Sequence, residues 1–352
     1  MTEAVIKYIL VLICGLINIL SLIGNVMVLL SVSRFYRLRS QYCFRFLASL
    51  AVADITVSLT AMPLNIISII YEGWPFEKWF CLFWLSSDVM FCTASILHLC
   101  LIALDRYIAI SKPLIYERLM TKGKFIGSIL SVWLISGLLS FLPTFLGWIH
   151  RDEMPDYSNC GLNVNMTYAI ISSILSFYLP FLIICILYAK ILLIARRQSL
   201  QMKVNYRQSA TMRSEAKAIK TVGLLVGFFA GCWLPFFLVY LIKSFYEKSP
   251  ISLEVEMLVT WIGYINSVVN PMLYCFMQKE FRTAFIKLLT GILPDRLFSC
   301  LFKGNYLSIS DYNTTNITIY LNSPFIISNA SNVNNNSANS HNYNQSISII
   351  NK

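Results

Sequence analysis

The sequence predicts an all-α membrane protein, a bundle of seven transmembrane helices with a short amphipathic helix after the seventh span. Of its 352 residues 57% are hydrophobic and only 13% are charged, and the mean hydropathy is +0.64. This composition is typical of a chain with several membrane spans rather than of a soluble domain. Seven apolar stretches are each long enough for a helix to cross the hydrocarbon core of a bilayer. They are residues 4–33, 42–70, 78–111, 122–147, 167–197, 213–246 and 253–276.

The distribution of charge predicts the orientation of these spans. The formal net charge is +11, with 28 Lys and Arg residues against 17 Asp and Glu residues. Most of the basic residues follow the odd-numbered spans, which is the positive-inside bias of membrane proteins. We therefore expect an extracellular N-terminus, a cytoplasmic C-terminus, contact with the lipid bilayer and no nucleic-acid partner. We assign residues 1–20 to the first span, because no basic segment precedes their apolar run and no cleavage site follows it.

Polar residues at mid-membrane depth in the first two spans indicate a buried site. Gly24-Asn25 lies in the first span and Asp54 in the second, and such groups should face the bundle interior. Asp54 is a candidate ligand for a sodium ion, and we expect no other metal or cofactor. Its alternative role is that of a neutral, hydrogen-bonded structural acid. The residues that could share the ion with Asp54 are Ser95, Asn266, Ser267 and Asn270.

The third span carries charged residues at two depths. Asp88 lies inside the membrane-spanning part, where an ionisable side chain is costly and indicates a ligand counter-ion or a relay. Asp105-Arg106-Tyr107 stands at the inner end of the same span. Cys81, near its outer end, and Cys160 are the cysteines at the outer face, where a disulfide can persist. This layout is typical of a signal-transmitting receptor.

The fifth span contains a group of three serines, Ser172, Ser173 and Ser176, just before Pro180. Ser172 and Ser176 are four residues apart, so in an α-helix they share a face about one turn apart. Serines in membrane helices commonly make interhelical hydrogen bonds. Because these serines stand at a depth similar to that of Asp88, we favour contact with a ligand.

The sixth span carries an aromatic stripe beside Pro235. The aromatic residues recur at i, i+3, i+4 and i+7, and they are Trp233, Phe236, Phe237 and Tyr240. Such a stripe is usually part of a core. With the carboxylate of Asp88 at the same depth, however, it is also suited to enclose an ammonium group, because the faces of aromatic rings attract cations.

The seventh span and the tail complete the chain. The span ends in Asn270-Pro271-Met272-Leu273-Tyr274, where polar neighbours can satisfy the carbonyl that Pro271 leaves free. Residues 279–290 alternate apolar and basic positions at helical spacing, which predicts a helix lying on the inner leaflet. We therefore expect a membrane domain over residues 1–290 and, from its Asn- and Ser-rich composition, a disordered cytoplasmic tail over 291–352. Cys300 is a palmitoylation candidate, and Asn165 begins a glycosylation sequon.

From Gly24 to Phe285 the chain resembles the rhodopsin-like (class A) G-protein-coupled receptors. The resemblance depends on the order and spacing of several motifs together, since any one of them alone would be weak. The motifs are GN at 24–25, LAVAD at 50–54, Cys81 with Cys160, DRY at 105–107, Trp133, FYLP at 177–180, CWLP at 232–235 and NPMLY at 270–274.

Within that family, the outer half is similar to the aminergic receptors of the dopamine, adrenergic, octopamine and serotonin type. The similarity implies that Asp88 anchors the amine and that residues of span 7 close over it. Opsins are excluded because residues 253–276 contain no lysine for retinal. The residues expected at the ligand are Asp88, Val89, Cys92, Thr93, Ser172, Ser173, Ser176, Trp233, Phe236, Phe237, Tyr240, Trp261 and Tyr264.

The resemblance also implies an activation switch at the inner end of the bundle. Arg106 is expected to pair with Asp105 and with Glu215 on span 6, and breaking the second pair would let span 6 open toward a heterotrimeric G protein. A receptor kinase and arrestin are further expected partners. The switch residues are Asp105, Arg106, Tyr107, Tyr188, Glu215, Pro271 and Tyr274.

The function implied is that of a plasma-membrane receptor for a biogenic amine, with a catecholamine-like ligand favoured. Dopamine, noradrenaline, octopamine, tyramine, serotonin and histamine all present the required ammonium group. A receptor of the same fold for a lipid or peptide is the second alternative. A transporter or channel is disfavoured because no internal repeat is present. An enzyme is not expected, because no nucleophile–base pair or metal-ligand cluster is evident.

Overall fold

The computed structural model describes residues 2–148, 160, 164–201, 209–246 and 251–292. Side chains are described within these ranges except at 2–3, 196, 198–222 and 292. Residues 1–292 form one compact unit. The tail predicted to be disordered, with Cys300, lies outside the described residues from Leu293 onward, so both predictions about it stay predictions.

The all-α bundle of seven spans is confirmed. Span 1 is Thr2–Arg34, span 2 consists of Tyr42–Leu59 and Ala61–Tyr71, and span 3 is Lys78–Ser111. Span 4 is Lys122–Phe145, and span 5 consists of Met166–Ser173, a π-helical turn Ile174–Tyr178 and Leu179–Gln201. Span 6 is Ser209–Phe245 and span 7 is Leu253–Met277. Short helices connect span 1 to span 2 (Tyr36–Arg39) and span 3 to span 4 (Pro113–Ile115 and Tyr116–Leu119).

Among the described residues, six helical segments are long and apolar enough to cross a membrane by length and composition. The seventh helix is not among them, because polar residues dilute its hydropathy. It carries Glu254 and Glu256 in its first turn, and Asn266, Ser267 and Asn270 in its inner half. A span that is polar in this way must turn these groups toward other helices rather than toward lipid, and all three of the inner-half residues are buried.

Two spans depart from regular α-helix. Span 2 is interrupted at Thr60, whose backbone angles are φ −120° and ψ −67°, three residues before Pro63. Proline has no N–H, so the carbonyl one turn before Pro63 lacks its helical partner. The π-helical turn Ile174–Tyr178 in span 5 likewise precedes Pro180. Such single-turn π segments are frequent at functional sites.

Spans 1 and 7 approach each other closely at Gly24. A β-carbon on residue 24 would lie 2.7 Å from Cγ of Pro271, so only glycine permits this contact. The neighbouring Asn25 donates from Nδ2 to the backbone carbonyls of Ser21 and Ser267, at 2.9 and 2.8 Å. The Gly24-Asn25 pair therefore fixes the position of span 7 along the axis of span 1.

The helix predicted at 279–290 is present as Lys279–Ile292. Its apolar face is buried against the bundle, since Phe281 is fully buried and lies edge-on to Phe44, with the ring centroids 5.4 Å apart. Phe281 also contacts the ring of Tyr274, at 5.6 Å between centroids. Basic residues such as Lys279 and Arg282 occupy the opposite face, as a helix at a membrane surface requires.

Candidate functional site

Asp88 lies ten residues into span 3, and within the described part of the chain its hydrogen-bond donors are neutral. Tyr264 donates from its hydroxyl to Oδ2 at 3.1 Å, and the thiol of Cys92 lies 3.8 Å from Oδ1. Among the described side chains Asp88 has no ion-pair partner. Asp88 is partly buried. A bound ligand would shield its carboxylate from the remaining water, and the charge would then require the compensation that a cationic ligand supplies.

Span 7 contributes two aromatic residues beside this carboxylate. Tyr264 is almost completely buried, and the ring of Trp261 meets it edge-on with the centroids 5.4 Å apart. The indole N–H of Trp261 donates to Oδ1 of Asn65 at 2.8 Å. Asn65 was not among the predicted site residues, although an amide side chain inside an apolar stretch was a usable signal.

The aromatic stripe of span 6 forms one continuous ring cluster. Trp233 and Phe236 meet at 87° with their centroids 5.7 Å apart, and Tyr240 stacks on Phe236 at 6.0 Å. Phe237 stacks on Phe177 of span 5 at 4.5 Å. Trp233 sits against Gly263 of span 7, where a β-carbon would lie 2.9 Å from its ring. The cluster therefore links spans 5, 6 and 7 at the level of the site.

The three serines of span 5 are in different environments. The hydroxyl of Ser172 lies 3.3 Å from that of Tyr240, and it donates to the carbonyl of Ala169 at 3.2 Å. Ser173 is fully buried, and its hydroxyl has no hydrogen-bond partner within the described part of the chain. Ser176 is buried in the π-helical turn. An unpartnered buried hydroxyl is costly, so Ser173 is suited to receive a polar group or a water molecule.

The remaining predicted contacts lie on span 3 below Asp88. Val89 and Cys92 are partly buried, and Thr93 is buried. They follow Asp88 on the same helix, and of the three only the thiol of Cys92 is described near the carboxylate. The ligand-binding set as a whole stays a prediction.

The disulfide between Cys81 and Cys160 is confirmed, with the two Cα atoms 5.8 Å apart. It is buried beside Trp74 and Trp84, whose rings stack with their centroids 4.9 Å apart. Trp74 was not predicted, although the Gly73-Trp74-Pro75-Phe76 turn between two spans was a possible signal. The disulfide joins Cys160, which follows span 4, to the first turn of span 3. Residues 149–159 and 161–163 lie outside the described residues.

Asn165, which begins the predicted sequon, caps the first helix of span 5. Its Oδ1 accepts from the backbone N–H of Tyr168 at 2.8 Å, and its Nδ2 donates to the carbonyl of Trp148 at 2.6 Å. The amide nitrogen that would carry a glycan is therefore already engaged. Glycosylation of Asn165 stays a prediction.

Asp54 lies in a polar cluster between spans 2 and 7. Ser267 donates to Oδ1 at 2.8 Å and Asn270 donates to Oδ2 at 2.9 Å. Ser95 is buried but donates to the carbonyl of Phe91, at 3.1 Å. The side-chain oxygen of Asn266 is buried and unpartnered among the described residues. The carboxylate and this free oxygen are the hard ligands that a sodium ion would use.

A transition-metal site finds no support in the described part of the chain. It contains no group of three or more His, Cys, Asp or Glu side chains that could hold a metal ion. A sodium ion at Asp54 does not require such a group, because carboxylate, hydroxyl and amide oxygens can bind it. Sodium binding stays a prediction.

At the inner end of span 3, Arg106 is bound to its neighbour Asp105. Its Nε and one terminal nitrogen donate to Oδ2 of Asp105 at 3.1 and 2.7 Å. Tyr116, in the short helix after span 3, donates to Oδ1 at 2.5 Å. Burial, and then this hydrogen bond, raise the pKa of the Tyr116 hydroxyl. Asp105 is thus held from two sides, and Tyr116 is a contact that sequence reasoning missed.

The other predicted switch residues make separate contacts. Tyr107 lies beside the ammonium group of Lys190, 5.9 Å from its ring centroid. Tyr274 is buried, and no described group bonds its hydroxyl. The side chain of Glu215 lies outside the described side chains, so its pairing with Arg106 stays a prediction.

The chain is similar to known receptors. Residues 24–274 match the family described as "7 transmembrane receptor (rhodopsin family)". The octopamine receptor beta-1R of Drosophila melanogaster is 38% identical over 319 residues, which cover 82% of this chain and 63% of that receptor. The histamine H2 receptor of Cavia porcellus is 40% identical over 271 residues, 75% of each chain. The D(1B) dopamine receptor of Xenopus laevis is 35% identical over 337 residues, 85% of this chain and 70% of that receptor. The chain thus spans less than two thirds of the octopamine receptor's length.

Proposed function

The chain belongs to the rhodopsin family of seven-transmembrane receptors, and on that premise we propose that it binds a biogenic amine and transmits the binding to a heterotrimeric G protein. Octopamine, histamine and dopamine, the ligands in the names of its relatives, share an ammonium group on a short chain attached to a ring. A lipid or peptide ligand is less well supported, because none of these relatives is named for one.

The observation that carries the proposal is the environment of Asp88. Its two hydrogen-bond partners, Tyr264 and Cys92, are neutral. A protonated amine would form a charge-assisted hydrogen bond with the carboxylate, which is about twice as strong as a neutral one. The faces of nearby aromatic rings would add cation–π attraction. The carboxylate is therefore expected to dominate the affinity for amines.

The other end of the site is suited to the ring of the ligand. Ser172 and Tyr240 bring two hydroxyls together between spans 5 and 6, and Ser173 adds a third, unpartnered one. These groups can both donate to and accept from ring hydroxyls, and the ring itself would lie against Phe236 and Phe237. This favours a ligand with one or two ring hydroxyls, of the catecholamine or octopamine type.

Signal transmission would follow from the contacts between spans. A ligand that bonds both Asp88 and the hydroxyls of span 5 would draw the outer ends of spans 3 and 5 together. Trp233, seated against Gly263, would transmit this shift toward the inner end. A ligand shifts the receptor only if it binds the active conformation more tightly than the resting one. We propose that Arg106 then releases span 6, and that a receptor kinase and arrestin act on the active form.

The topology follows from the same premise. We propose a multi-pass protein of the plasma membrane with its N-terminus outside, since the Cys81–Cys160 disulfide is expected in an oxidising compartment. Arg106 and the helix Lys279–Ile292 then face the cytoplasm. Labelling of intact cells with an antibody to an N-terminal tag tests this orientation, and staining that requires permeabilisation would contradict it.

The deciding experiment is a ligand panel on cells that express the full chain. Dopamine, noradrenaline, octopamine, tyramine, serotonin and histamine are compared by their effects on cAMP and calcium. We expect at least one amine to signal at submicromolar concentration, and to lose its effect in Asp88→Asn at matched surface expression. Activation by a lipid or peptide with no response to any amine would overturn the proposal.

A further inference from the structure

We propose that Asn65 on span 2 is a positioning residue for the amine-binding carboxylate, acting on Asp88 through Trp261 and Tyr264. The inference rests on the proposed function, since it concerns the same carboxylate. Asn65 belongs to neither span 3 nor span 7, and among the described contacts it does not touch Asp88. Its influence has to pass through the two aromatic residues of span 7.

The contacts form an unbroken series from span 2 to span 3. Trp261 donates from its indole nitrogen to Oδ1 of Asn65 at 2.8 Å. The rings of Trp261 and Tyr264 meet at 89°, with their centroids 5.4 Å apart. The hydroxyl of Tyr264 donates to Oδ2 of Asp88 at 3.1 Å. Each member therefore restricts the next one.

The chemistry of the first contact allows only one arrangement. An indole N–H is a donor and never an acceptor, so Asn65 must present its carbonyl oxygen rather than its amide nitrogen. Trp261 is only 5% exposed, so water is a poor substitute for that oxygen. Without the acceptor the indole would have to turn to find another partner, because a buried N–H without a partner is unfavourable.

The ring of Tyr264 depends on Trp261 for its position. The two residues are three apart on span 7, which places them side by side on one face of the helix. Tyr264 is 1% exposed and fills its site, so a turned indole would displace it. Span 2 can therefore restrain the ring of Tyr264 only through the edge-on contact that this ring makes with Trp261.

The position of Tyr264 sets that of the carboxylate. Its hydroxyl is the stronger of the two described donors to Asp88, because the other is a thiol at 3.8 Å. With Oδ2 fixed by Tyr264, the carboxylate is oriented before the amine arrives. Binding then costs less ordering of side chains, which is how preorganisation raises affinity.

The test measures binding of dopamine, octopamine and histamine to the full-length receptor in membranes. We expect Asn65→Leu to weaken the amine that binds best by about tenfold, the loss expected for one buried hydrogen bond. Trp261→Phe should weaken it similarly, and the double variant no further. Asn65→Asp, which retains an acceptor oxygen, should restore affinity at least to the wild-type level. Additive losses in the double variant, or no rescue by Asn65→Asp, would overturn the proposal.

A matched control separates positioning from general destabilisation. Trp84 also donates an indole hydrogen bond to span 2, to the carbonyl of Ala61 at 3.3 Å, but it lies beside the disulfide. Trp84→Phe should leave the amine affinity within about twofold of wild type, whatever its effect on thermal stability. An equal loss of affinity in Trp84→Phe and Asn65→Leu would count against a positioning role.

A double-mutant cycle with Tyr264→Phe tests whether the loss of affinity in Asn65→Leu passes through Tyr264. If it does, Asn65→Leu should cost much less in a Tyr264→Phe background, where the hydroxyl that holds Asp88 is already gone. An undiminished loss in that background would contradict the proposal. The variant Asp88→Asn distinguishes failure of the proposed function from failure of the positioning role alone. Unchanged amine binding in Asp88→Asn refutes the proposed function itself, whereas abolished binding there with unchanged binding in Asn65→Leu refutes only the positioning role.

Discussion

The aromatic ring of Tyr188 on span 5 lies directly against the backbone of Gly223 on span 6. A β-carbon at residue 223 would collide with the hydroxyl and the ring of Tyr188. A larger residue at 223 would therefore require the hydroxyl end of Tyr188 to shift away from span 6. Tyr188 is one of the residues expected to act when span 6 moves, so the contact bears on the balance between resting and active conformations.

Gly223→Ala should raise basal signalling. The added methyl group displaces the hydroxyl end of Tyr188 from span 6 and so weakens the conformation that contains this contact. In that conformation Arg106 is bound to Asp105, as we expect before activation. A destabilisation of about 1 kcal/mol corresponds to roughly a fivefold change in the equilibrium between conformations. The measurement is ligand-independent cAMP or calcium signalling at matched surface expression.

Gly227→Ala is the matched control for this prediction. Residue 227 is one turn further along span 6, and a β-carbon there meets nothing within 4 Å. Its basal signalling should equal that of the wild type. A rise of the same size in both variants would mean that helix propensity on span 6, rather than contact with Tyr188, sets the basal level.

Asp88→Asn should nearly abolish amine binding while it leaves folding intact. Removing one partner of a desolvated charge pair typically costs about 2–5 kcal/mol, and asparagine keeps the shape of the side chain. Radioligand binding on membranes, with surface expression measured in parallel, checks the prediction. Glu256→Gln serves as the control, because Glu256 pairs with Lys243 at 2.6 Å on the outer ends of spans 6 and 7. Comparable losses in both variants would point to long-range electrostatics instead of a direct amine contact.

Ser172→Ala or Ser176→Ala should weaken a catecholamine far more than phenethylamine, which lacks ring hydroxyls. A hydroxyl bound in a dry site needs a partner, and removal of that partner costs about 1–3 kcal/mol. Serotonin, with one ring hydroxyl, should lie between the two. Competition binding with the three amines measures the difference. Equal losses for all three would assign the serines to contacts between helices, such as the one from Ser172 to Tyr240.

Sodium should lower agonist affinity through Asp54. An ion bound between spans 2 and 7 would favour the resting bundle, and couplings of this kind are worth at least about fivefold in affinity. Agonist binding is compared in sodium and in an equal concentration of potassium. Asp54→Ala should abolish the difference, whereas Ser58→Ala should keep it, because Ser58 bonds the backbone of Asp54 rather than its carboxylate. Sodium sensitivity that survives in Asp54→Ala would exclude this site.

The buried polar pairs were predictable because a membrane allows few alternatives. Asp54 and Asn270 are 216 positions apart, and their side chains meet at 2.9 Å. A polar residue inside an apolar span must face the bundle interior, so polar residues at similar depth in different spans tend to meet. The contact of Tyr264 with Asp88 agrees instead with the resemblance to aminergic receptors, which implies that span 7 closes over the carboxylate.

Other contacts depended on local geometry that periodicity does not reveal. α-Helical spacing puts Ser172 and Ser176 on one face, but the π-helical turn from Ile174 to Tyr178 changes that spacing, and it is Ser173 that is fully buried. Tyr116 meets Asp105 from a short helix after span 3, and no repeat in the sequence marks that placement. Asn65 follows the interruption of span 2 at Thr60, beyond which the direction of each side chain depends on the break itself.

The two ends of the site are built from separate parts of the chain. The carboxylate end uses Asp88, Tyr264 and Trp261 from spans 3 and 7, whereas the hydroxyl end uses Ser172 and Tyr240 from spans 5 and 6. Mutations at the hydroxyl end can thus alter which ring substituents are preferred without changing the contact between Asp88 and the ammonium group. Under the proposed function, a receptor built in this way could change the amine that it recognises by small steps, because each variant would retain the carboxylate end. For medicinal chemistry, the same separation means that subtype selectivity should be sought at the ring end of a compound, while its basic nitrogen is held constant.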